Sequence, residues 1–161
     1  MRRLWSPWRM QYLTEERPPG CIFCLAGGEA ADVENLVLLR GERAFVMLNR
    51  YPYNAGHLMV IPYAHVPSLE DLPPETLTEM MLLVNRCLAA LRRAMSPDAF
   101  NVGANLGRAA GAGIAEHVHL HVVPRWEGDT NFMPVLGDVR VVPALLEETY
   151  RQLRAVFEEQ P

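Results

Sequence analysis

Three histidines alternate with apolar residues in the segment His117-Val118-His119-Leu120-His121-Val122-Val123. Successive side chains of a β-strand point to opposite faces of the sheet, so this spacing predicts a strand over residues 117–123. Its imidazoles would form a row about 7 Å apart on one face, while valine and leucine face the core. Imidazole titrates near neutrality, binds metals and acts as a nucleophile or an acid–base group. Because three of the chain's five histidines lie in this row, we interpret it as a functional site rather than as surface histidines on an amphipathic strand.

A second candidate site is the pair Cys21 and Cys24, which are separated by two residues. In a reducing compartment such a pair indicates a metal half-site rather than a disulfide. Two cysteines alone do not close a structural zinc site, which needs four ligands in a tetrahedron. Two reduced cysteines without a metal are the alternative. The third cysteine, Cys87, lies in a helical apolar pattern and is predicted to be a core residue.

Residues 103–113, just before the histidine row, are rich in glycine and alanine. Small residues let backbone N–H groups approach an anion closely. The segment is not a P-loop, because no Gly-Lys-Ser/Thr follows, and it does not match the dinucleotide fingerprint. Beside three histidines we interpret it as one wall of an anion site. Arg108 either adds positive charge there or is an ordinary solvated arginine.

The elements that must position these residues follow from hydrophobic periodicity. Apolar runs predict strands at residues 36–39, 44–48, 57–61 and 100–103, with a turn at residues 51–56 that makes an antiparallel hairpin. A long helix is predicted between Pro73-Pro74 and Ser96-Pro97, and a closing helix over residues 145–157. The predicted apolar face of the long helix consists of Leu77, Met80, Met81, Val84, Leu88 and Leu91. This order favours an α+β fold, in which an antiparallel sheet is combined with one long and one C-terminal helix.

The composition limits the class of protein. A chain of 161 residues, half of them hydrophobic and 21% charged, fits one ordinary globular domain. Its formal net charge of −4 leaves no basic surplus for a general nucleic-acid binder. No apolar run approaches the roughly 20 residues of a membrane helix, and the basic, proline-containing start is unlike a secretory signal. We therefore predict a cytoplasmic protein that binds neither nucleic acid nor membrane.

The sequence resembles the histidine-triad (HIT) family, whose signature His-φ-His-φ-His-φ-φ, with φ apolar, is matched at residues 117–123. Further matches are Asn49, Gly56-His57 and Pro124-Arg125-Trp126. The flanks at residues 5–9, 51–57 and 128–132 look like the bacterial branch described as diadenosine tetraphosphate phosphorylases or hydrolases.

This resemblance implies a HIT-like fold for a single domain over residues 1–161. Within it we expect an N-terminal arm over residues 1–20, a HIT core over 21–135 and a C-terminal helix over 136–161. The resemblance also implies a homodimer, whose interface could include the aromatic residues Trp5, Trp8 and Tyr12 of the arm.

The activity implied by the resemblance is hydrolysis or transfer of a nucleotide from a dinucleoside polyphosphate, with adenine nucleotides as ligands. His119 matches the nucleophile that attacks the α-phosphate and forms a nucleotidyl-histidine intermediate, which water or inorganic phosphate then resolves. His57 and His121 match positions that line the phosphate site, where we expect them to stabilise charge.

The resemblance also implies a set of nucleotide contacts. Asn49 matches a position that binds ribose hydroxyls, and Asn105 one that contacts phosphate or ribose. The remaining contacts are expected from Ile22, Phe23 and Leu48 beside the base and from Gly111 and Gly113 in the glycine-rich loop. Many relatives have Gln then Ser or Thr where this chain has Gly113 and Ile114, so side-chain donors present in those relatives are missing here.

Some branches of the superfamily complete a cysteine pair with a histidine after an Ile-Pro-x-x-His segment and with the first triad histidine. The matching residues here are His65, which ends Ile61-Pro62-Tyr63-Ala64-His65, and His117. The resemblance therefore implies a structural zinc held by Cys21, Cys24, His65 and His117. Such a site leaves His119 without a metal and able to react.

Three other hypotheses are compatible with the sequence. All three row histidines could bind one catalytic metal in a metallohydrolase, although the strand offers no carboxylate partner. The chain could be a zinc-containing nucleotide-binding or sensor protein with weak catalysis. A nucleoside phosphoramidase of the same family would share the first half-reaction. Glu116 should point away from the row and is predicted to be structural.

Overall fold

The computed structural model describes residues 20–28, 31–129 and 145–159. Its helices are α1 (Ile22–Gly28), α2 (Pro74–Met95) and α3 (Leu146–Glu158). Its strands are β1 (Val37–Arg40), β2 (Ala44–Leu48), β3 (Leu58–Pro62), β4 (Ala99–Gly103) and β5 (Leu120–Arg125), with short 3-10 helices at Leu69–Asp71 and Arg108–Ala110. Residues 1–19 of the predicted arm, which include Trp5, Trp8 and Tyr12, lie outside the described residues. No helix within the described ranges is long and apolar enough to cross a bilayer.

The five strands form one antiparallel sheet in the order β1-β2-β3-β5-β4. The predicted hairpin is confirmed, because β2 and β3 pair from Ala44 opposite Pro62 to Leu48 opposite Leu58. Strand β5 pairs with β3 on one side and with β4 on the other. The histidine segment therefore leads into an interior strand beside the end of the hairpin that carries His57. The α+β prediction is confirmed.

The two faces of the sheet bury different residues. One face packs under α2 and α3 and forms the main core, which includes Val118, Leu120 and Val122. The other face carries a smaller cluster with α1, in which Phe23 packs with residues of β1, β2 and β3 such as Met59. Because Met59 pairs with His121 across β3 and β5, His121 stands on the α1 face. The predicted division of the segment into an apolar and a histidine face is confirmed.

The predicted strand bounds at residues 117–123 are wrong at both ends, since β5 covers Leu120–Arg125. The N–H of Val118 donates to the carbonyl of Val66 at 2.8 Å. The backbone of this segment is therefore bound to the loop after β3 before it enters the sheet. Apolar and histidine side chains still alternate between the two faces here, although residues 117–119 are not paired in the sheet.

Helix α2 begins with Pro74, whose missing N–H costs nothing in the first turn, and it ends at Met95, before Ser96 in the left-handed conformation (φ 48°). Its buried residues are Thr76, Met80, Leu83, Val84, Cys87, Ala90 and Leu91. The prediction that Met81 belongs to this face is wrong, because its exposed fraction is 52%. Residues 80–84 are all apolar, so no polar neighbour marks which side of the helix faces the core. Burial of Cys87 is confirmed.

Of the predicted C-terminal helix segment 136–161, the structure describes residues 145–159. Helix α3 has 13 residues, begins at Leu146, and buries Tyr150, Leu153 and Phe157. Its bounds agree within one residue with the apolar pattern over 145–157. Residues 136–144 and 160–161 lie outside the described ranges.

Candidate active site and metal centre

His119 is held by its own segment in an orientation suited to nucleophilic attack. Its side chain is almost fully buried, and Nδ1 lies 2.9 Å from the carbonyl oxygen of His117. A carbonyl only accepts, so Nδ1 carries the proton and Nε2 keeps its lone pair. The ring of Phe23 packs edge-on at 4.8 Å between centroids. Burial lowers the pKa of His119, an effect that the hydrogen bond to His117 opposes. The site thus presents a neutral imidazole with an unprotonated Nε2.

His121 and His57 form a hydrogen-bonded pair beside His119. His57 Nε2 lies 2.9 Å from His121 Nδ1, and the two rings are 5.1 Å apart between centroids. Burial, followed by the charge of His121 and then of His119, lowers the pKa of His57 to about 3. Burial and the charge of His119 lower the pKa of His121 to about 4. Both rings are therefore neutral near pH 7.

The two members of this pair differ in exposure. His57 is fully buried, whereas His121 is half-buried and lines an open cavity. A phosphate in that cavity would contact His121, and His57 would act on it through the ring of His121. Their predicted roles in charge stabilisation remain predictions.

Four side chains from distant parts of the chain converge at the other end of the row. Cys21 Sγ lies 3.3 Å and Cys24 Sγ 3.6 Å from His117 Nδ1. His65 Nδ1 lies 3.2 Å from Cys24 Sγ and 3.2 Å from His117 Nδ1. All four ligand atoms are within 4.8 Å of one another. The sequence predicted these four residues, and the structure brings them together.

The donor set and its spacing fit a tetrahedral zinc. Two sulfurs at about 2.3 Å and two nitrogens at about 2.0 Å from the metal would lie about 3.3–3.8 Å from one another. His117 Nε2 lies 2.8 Å from the carbonyl oxygen of Pro62, to which it donates, so the Nδ1 lone pair faces the cluster. Burial, together with the hydrogen bond and charge of Cys21, raises the pKa of the Cys24 thiol. Two thiolates this close would repel each other, and a cation bound between them would relieve that repulsion.

The three row histidines do not converge on one point. His117 faces the cysteines, His119 donates to a backbone carbonyl, and His121 pairs with His57. Among the residues that the structure describes, the group able to hold a metal is the Cys2His2 cluster, which excludes His119 and His121. This geometry does not favour a metallohydrolase built on the triad.

An open cavity of about 350 Å³ continues the row beyond His121. Its wall includes Arg125, whose guanidinium binds Asp129 through two hydrogen bonds of 2.6 Å and Asn101 at 2.8 Å. The lining residues are Tyr53, Asn54, Asn101, Val102, Gly103, Ala104, Asn105, His121, Val123 and Arg125. Apart from His121 and the residues 103–105 of the glycine-rich segment, sequence reasoning gave none of them a role. Tyr53, Asn54 and Arg125 lie in segments that carried the family resemblance, which was the available signal.

The residues predicted to contact the base differ in their exposure to solvent. Leu48 is wholly buried in the main core and Phe23 is 2% exposed, whereas Ile22 is 42% exposed. Of these three, Ile22 thus offers most surface to a base. Asn49 is half-buried, and its Oδ1 accepts the N–H of Tyr51 at 2.9 Å.

In the glycine-rich loop, Gly111 (φ 88°) and Gly113 are exposed. Arg108 and Glu116 form an exposed ion pair at 3.1 Å. Glu116 therefore points into solvent beside Arg108, away from the buried triad. The nucleotide contacts predicted for the two glycines remain predictions.

The sheet topology, the histidine row and the Cys2His2 cluster together define a histidine-triad protein. The family model described as HIT domain matches residues 30–128. The chain belongs to this family.

The chain is 43% identical to the AP-4-A phosphorylase of Mycobacterium tuberculosis, over all of this chain and 87% of that protein. Among solved structures, a Zn-bound histidine triad family protein from Mycobacterium smegmatis is similar with a TM-score of 0.69 and 34% identity, over 87% of this chain and 94% of that one. A hypothetical histidine triad nucleotide-binding protein from Sulfolobus tokodaii is similar with a TM-score of 0.64 and 26% identity, over 86% and 90%.

Proposed function

We propose that this chain is an enzyme that transfers a nucleotidyl group from dinucleoside polyphosphates such as diadenosine tetraphosphate. The observation that carries the proposal is the orientation of His119, a buried neutral imidazole whose Nδ1 donates to the carbonyl of His117. The likeness to the AP-4-A phosphorylase of M. tuberculosis supports the substrate class. The neutral His121 ring at the mouth of the cavity supports a phosphate-binding role.

In the first half-reaction, His119 Nε2 attacks the α-phosphorus and forms a P–N bond. The bond from that phosphorus to the bridging oxygen breaks, and the oxygen leaves with its electron pair as part of a nucleoside polyphosphate. A polyphosphate anion is a good leaving group, so the site mainly has to hold its charge. His121 donates a hydrogen bond to a phosphate oxygen, and loop N–H groups near Gly111 and Gly113 supply further donors.

In the second half-reaction, an acceptor oxygen attacks the same phosphorus and the P–N bond breaks, returning the lone pair to His119 Nε2. Inorganic phosphate as acceptor gives a nucleoside diphosphate. Water gives a nucleoside monophosphate and releases one proton. Covalent catalysis divides one displacement into two easier ones, and both use the same orientation of His119.

We further propose that Cys21, Cys24, His65 and His117 hold a zinc ion with a structural role. A closed tetrahedral site has no open position for substrate or water, so the metal supplies cross-linking rather than Lewis-acid chemistry. It would tie the start of α1 to the loop after β3 and to the catalytic segment. The Zn-bound M. smegmatis relative supports this assignment.

A product assay tests the activity. Diadenosine tetraphosphate is incubated with the purified protein, with and without inorganic phosphate, and products are separated by chromatography. ADP and ATP that appear only with phosphate identify a phosphorylase, whereas AMP and ATP without phosphate identify asymmetric hydrolysis. Absence of turnover under both conditions contradicts the proposal.

Trapping labelled nucleotide on the protein tests the role of His119. We expect an acid-labile adduct on the wild type and none on His119→Ala, which should still bind nucleotide. His121→Ala is the matched control, because it removes the same residue type from the same segment but leaves the nucleophile. It should form the adduct more slowly, by about 100-fold. Equal labelling of wild type and His119→Ala would refute the assigned nucleophile.

A further inference from the structure

The buried ring of His57 accepts two hydrogen bonds at the same nitrogen. The backbone N–H of Tyr53 lies 3.1 Å from His57 Nδ1, and Asn49 Nδ2 lies 3.3 Å from it. A backbone amide can only donate, so Nδ1 cannot carry a proton. A neutral imidazole has one ring proton, which must therefore lie on Nε2. The tautomer of His57 is thus fixed by its neighbours.

The orientation of the Asn49 amide is fixed as well. Its oxygen accepts the N–H of Tyr51 at 2.9 Å. A flipped amide would present its NH2 group to that N–H and its oxygen to the lone pair of His57, so two contacts would become repulsive. The NH2 group therefore faces His57. Both ends of this side chain are bound within the protein.

The fixed proton on His57 determines the proton on the next ring. His57 Nε2 donates to His121 Nδ1 at 2.9 Å, so His121 also keeps its single proton on Nε2. Because Nδ1 of His121 accepts, this ring offers the open cavity an N–H donor and no lone pair. The lowered pKa of both rings agrees with a pair that stays neutral.

We propose that Asn49 is a positioning residue for His121: with the Tyr53 amide it holds His57 in one tautomer, and His57 holds His121 with its proton toward the phosphate. The role in turnover rests on the proposed function, whereas the proton positions do not. The proposal differs from the ribose contact that the sequence predicts for Asn49. A ribose contact stabilises bound substrate, so its loss raises KM. A His121 N–H that no longer points at the phosphate lowers kcat instead.

Histidine 15N NMR on the wild type tests the proton positions without any substrate. We expect nonprotonated Nδ1 and protonated Nε2 signals for both His57 and His121 across pH 5 to 8. A protonated Nδ1 on either ring in that range would overturn the inference. Because this measurement needs no turnover, failure of the proposed function and failure of this inference are distinguishable.

Two variants then test Asn49 itself. Asn49→Leu removes the donor at similar volume, and we expect kcat on diadenosine tetraphosphate to fall about tenfold with KM changed less than twofold. Asn49→Asp sets a carboxylate against His57, so Nδ1 of His57 should become protonated in the 15N spectrum and kcat should fall at least as far.

Asn85→Ala, on the exposed side of α2, is the matched control and should leave kcat and the spectrum unchanged. Melting temperatures of all variants separate loss of folding from loss of orientation. Unchanged kcat in folded Asn49→Leu and Asn49→Asp, with or without a raised KM, would overturn the assignment of Asn49.

Discussion

The two ends of the histidine row use the same residue type for different purposes. At one end, His117 Nδ1 faces two sulfurs and the ring of His65. At the other end, His121 Nδ1 accepts from a second imidazole, which is itself fixed by amide N–H groups. The row alone does not determine which ring faces the cysteines and which offers an N–H to the cavity. The partner of the second ring nitrogen determines it.

The largest expected effect concerns the metal end. We predict that purified protein carries about one zinc per chain and that Cys24→Ser loses it. Loss of this cross-link should lower the free energy of unfolding by on the order of 10 kcal/mol, measured by urea denaturation alongside metal analysis. Folded protein should retain the wild-type proton positions on His57 and His121, because no cluster residue contributes to that pair.

Cys87→Ala is the control for this change, since it removes a buried cysteine from α2 far from the cluster in sequence. It should keep its zinc. The proposal of a structural zinc would be contradicted if wild-type protein purified without chelator held less than half an equivalent of zinc. The two ends of the row would then not differ in metal binding.

The next largest effect is a pH dependence of stability that arises at the His57–His121 end of the row. The pKa values of His57 and His121 are lowered to about 3 and about 4 in the folded protein, whereas an unfolded histidine titrates near 6.5. Between these values the unfolded chain binds more protons, so acid favours unfolding. The free energy of unfolding should fall as pH drops from about 6.5 to 4, by about 1.4 kcal/mol per pH unit for each ring that stays neutral.

The double variant His57→Gln, His121→Gln isolates this contribution, because it retains the cluster and its own pH dependence. Urea denaturation at several pH values should give a shallower slope for the variant below pH 6.5. Equal slopes would show that the two rings titrate alike in the folded and unfolded states, against the burial described above.

The smallest effect concerns the turn before His57. Gly56 has φ 77°, and a Cβ there would lie 2.7 Å from Met95 Sδ and 3.1 Å from Leu91. Gly56→Ala therefore adds both backbone strain and a clash with α2, and it should cost about 1–3 kcal/mol. The zinc content of Gly56→Ala should be unchanged, which would show that the substitution affects only the end of the row near His57.

Gly28→Ala is the matched control for this substitution, since its Cβ meets no atom within 4 Å and its φ is not positive. Thermal denaturation compares the two. A Gly56→Ala protein as stable as Gly28→Ala would show that the turn adapts and does not constrain His57.

The sequence predicted those features that depend on side-chain type and spacing. Alternation placed Val118, Leu120 and Val122 in the core, and the family resemblance indicated which four residues form the cluster. It did not predict the fixing of His57, because the main donor is the backbone N–H of Tyr53 and every residue except proline has one. Met81 was misplaced because an unbroken apolar run carries no information about the face that is buried.

The residue at position 117 takes part in the site twice, through its ring and through its main-chain oxygen. Any amino acid placed there still brings a carbonyl, so a change of side chain leaves in place the oxygen that accepts from His119 Nδ1. The Cys2His2 cluster depends on the imidazole itself, so a replacement without a metal-binding side chain removes one of its four possible ligands. Directed evolution could therefore give up the cluster while keeping the tautomer of His119, provided that the hydrogen bond between Val118 and Val66 still holds the backbone.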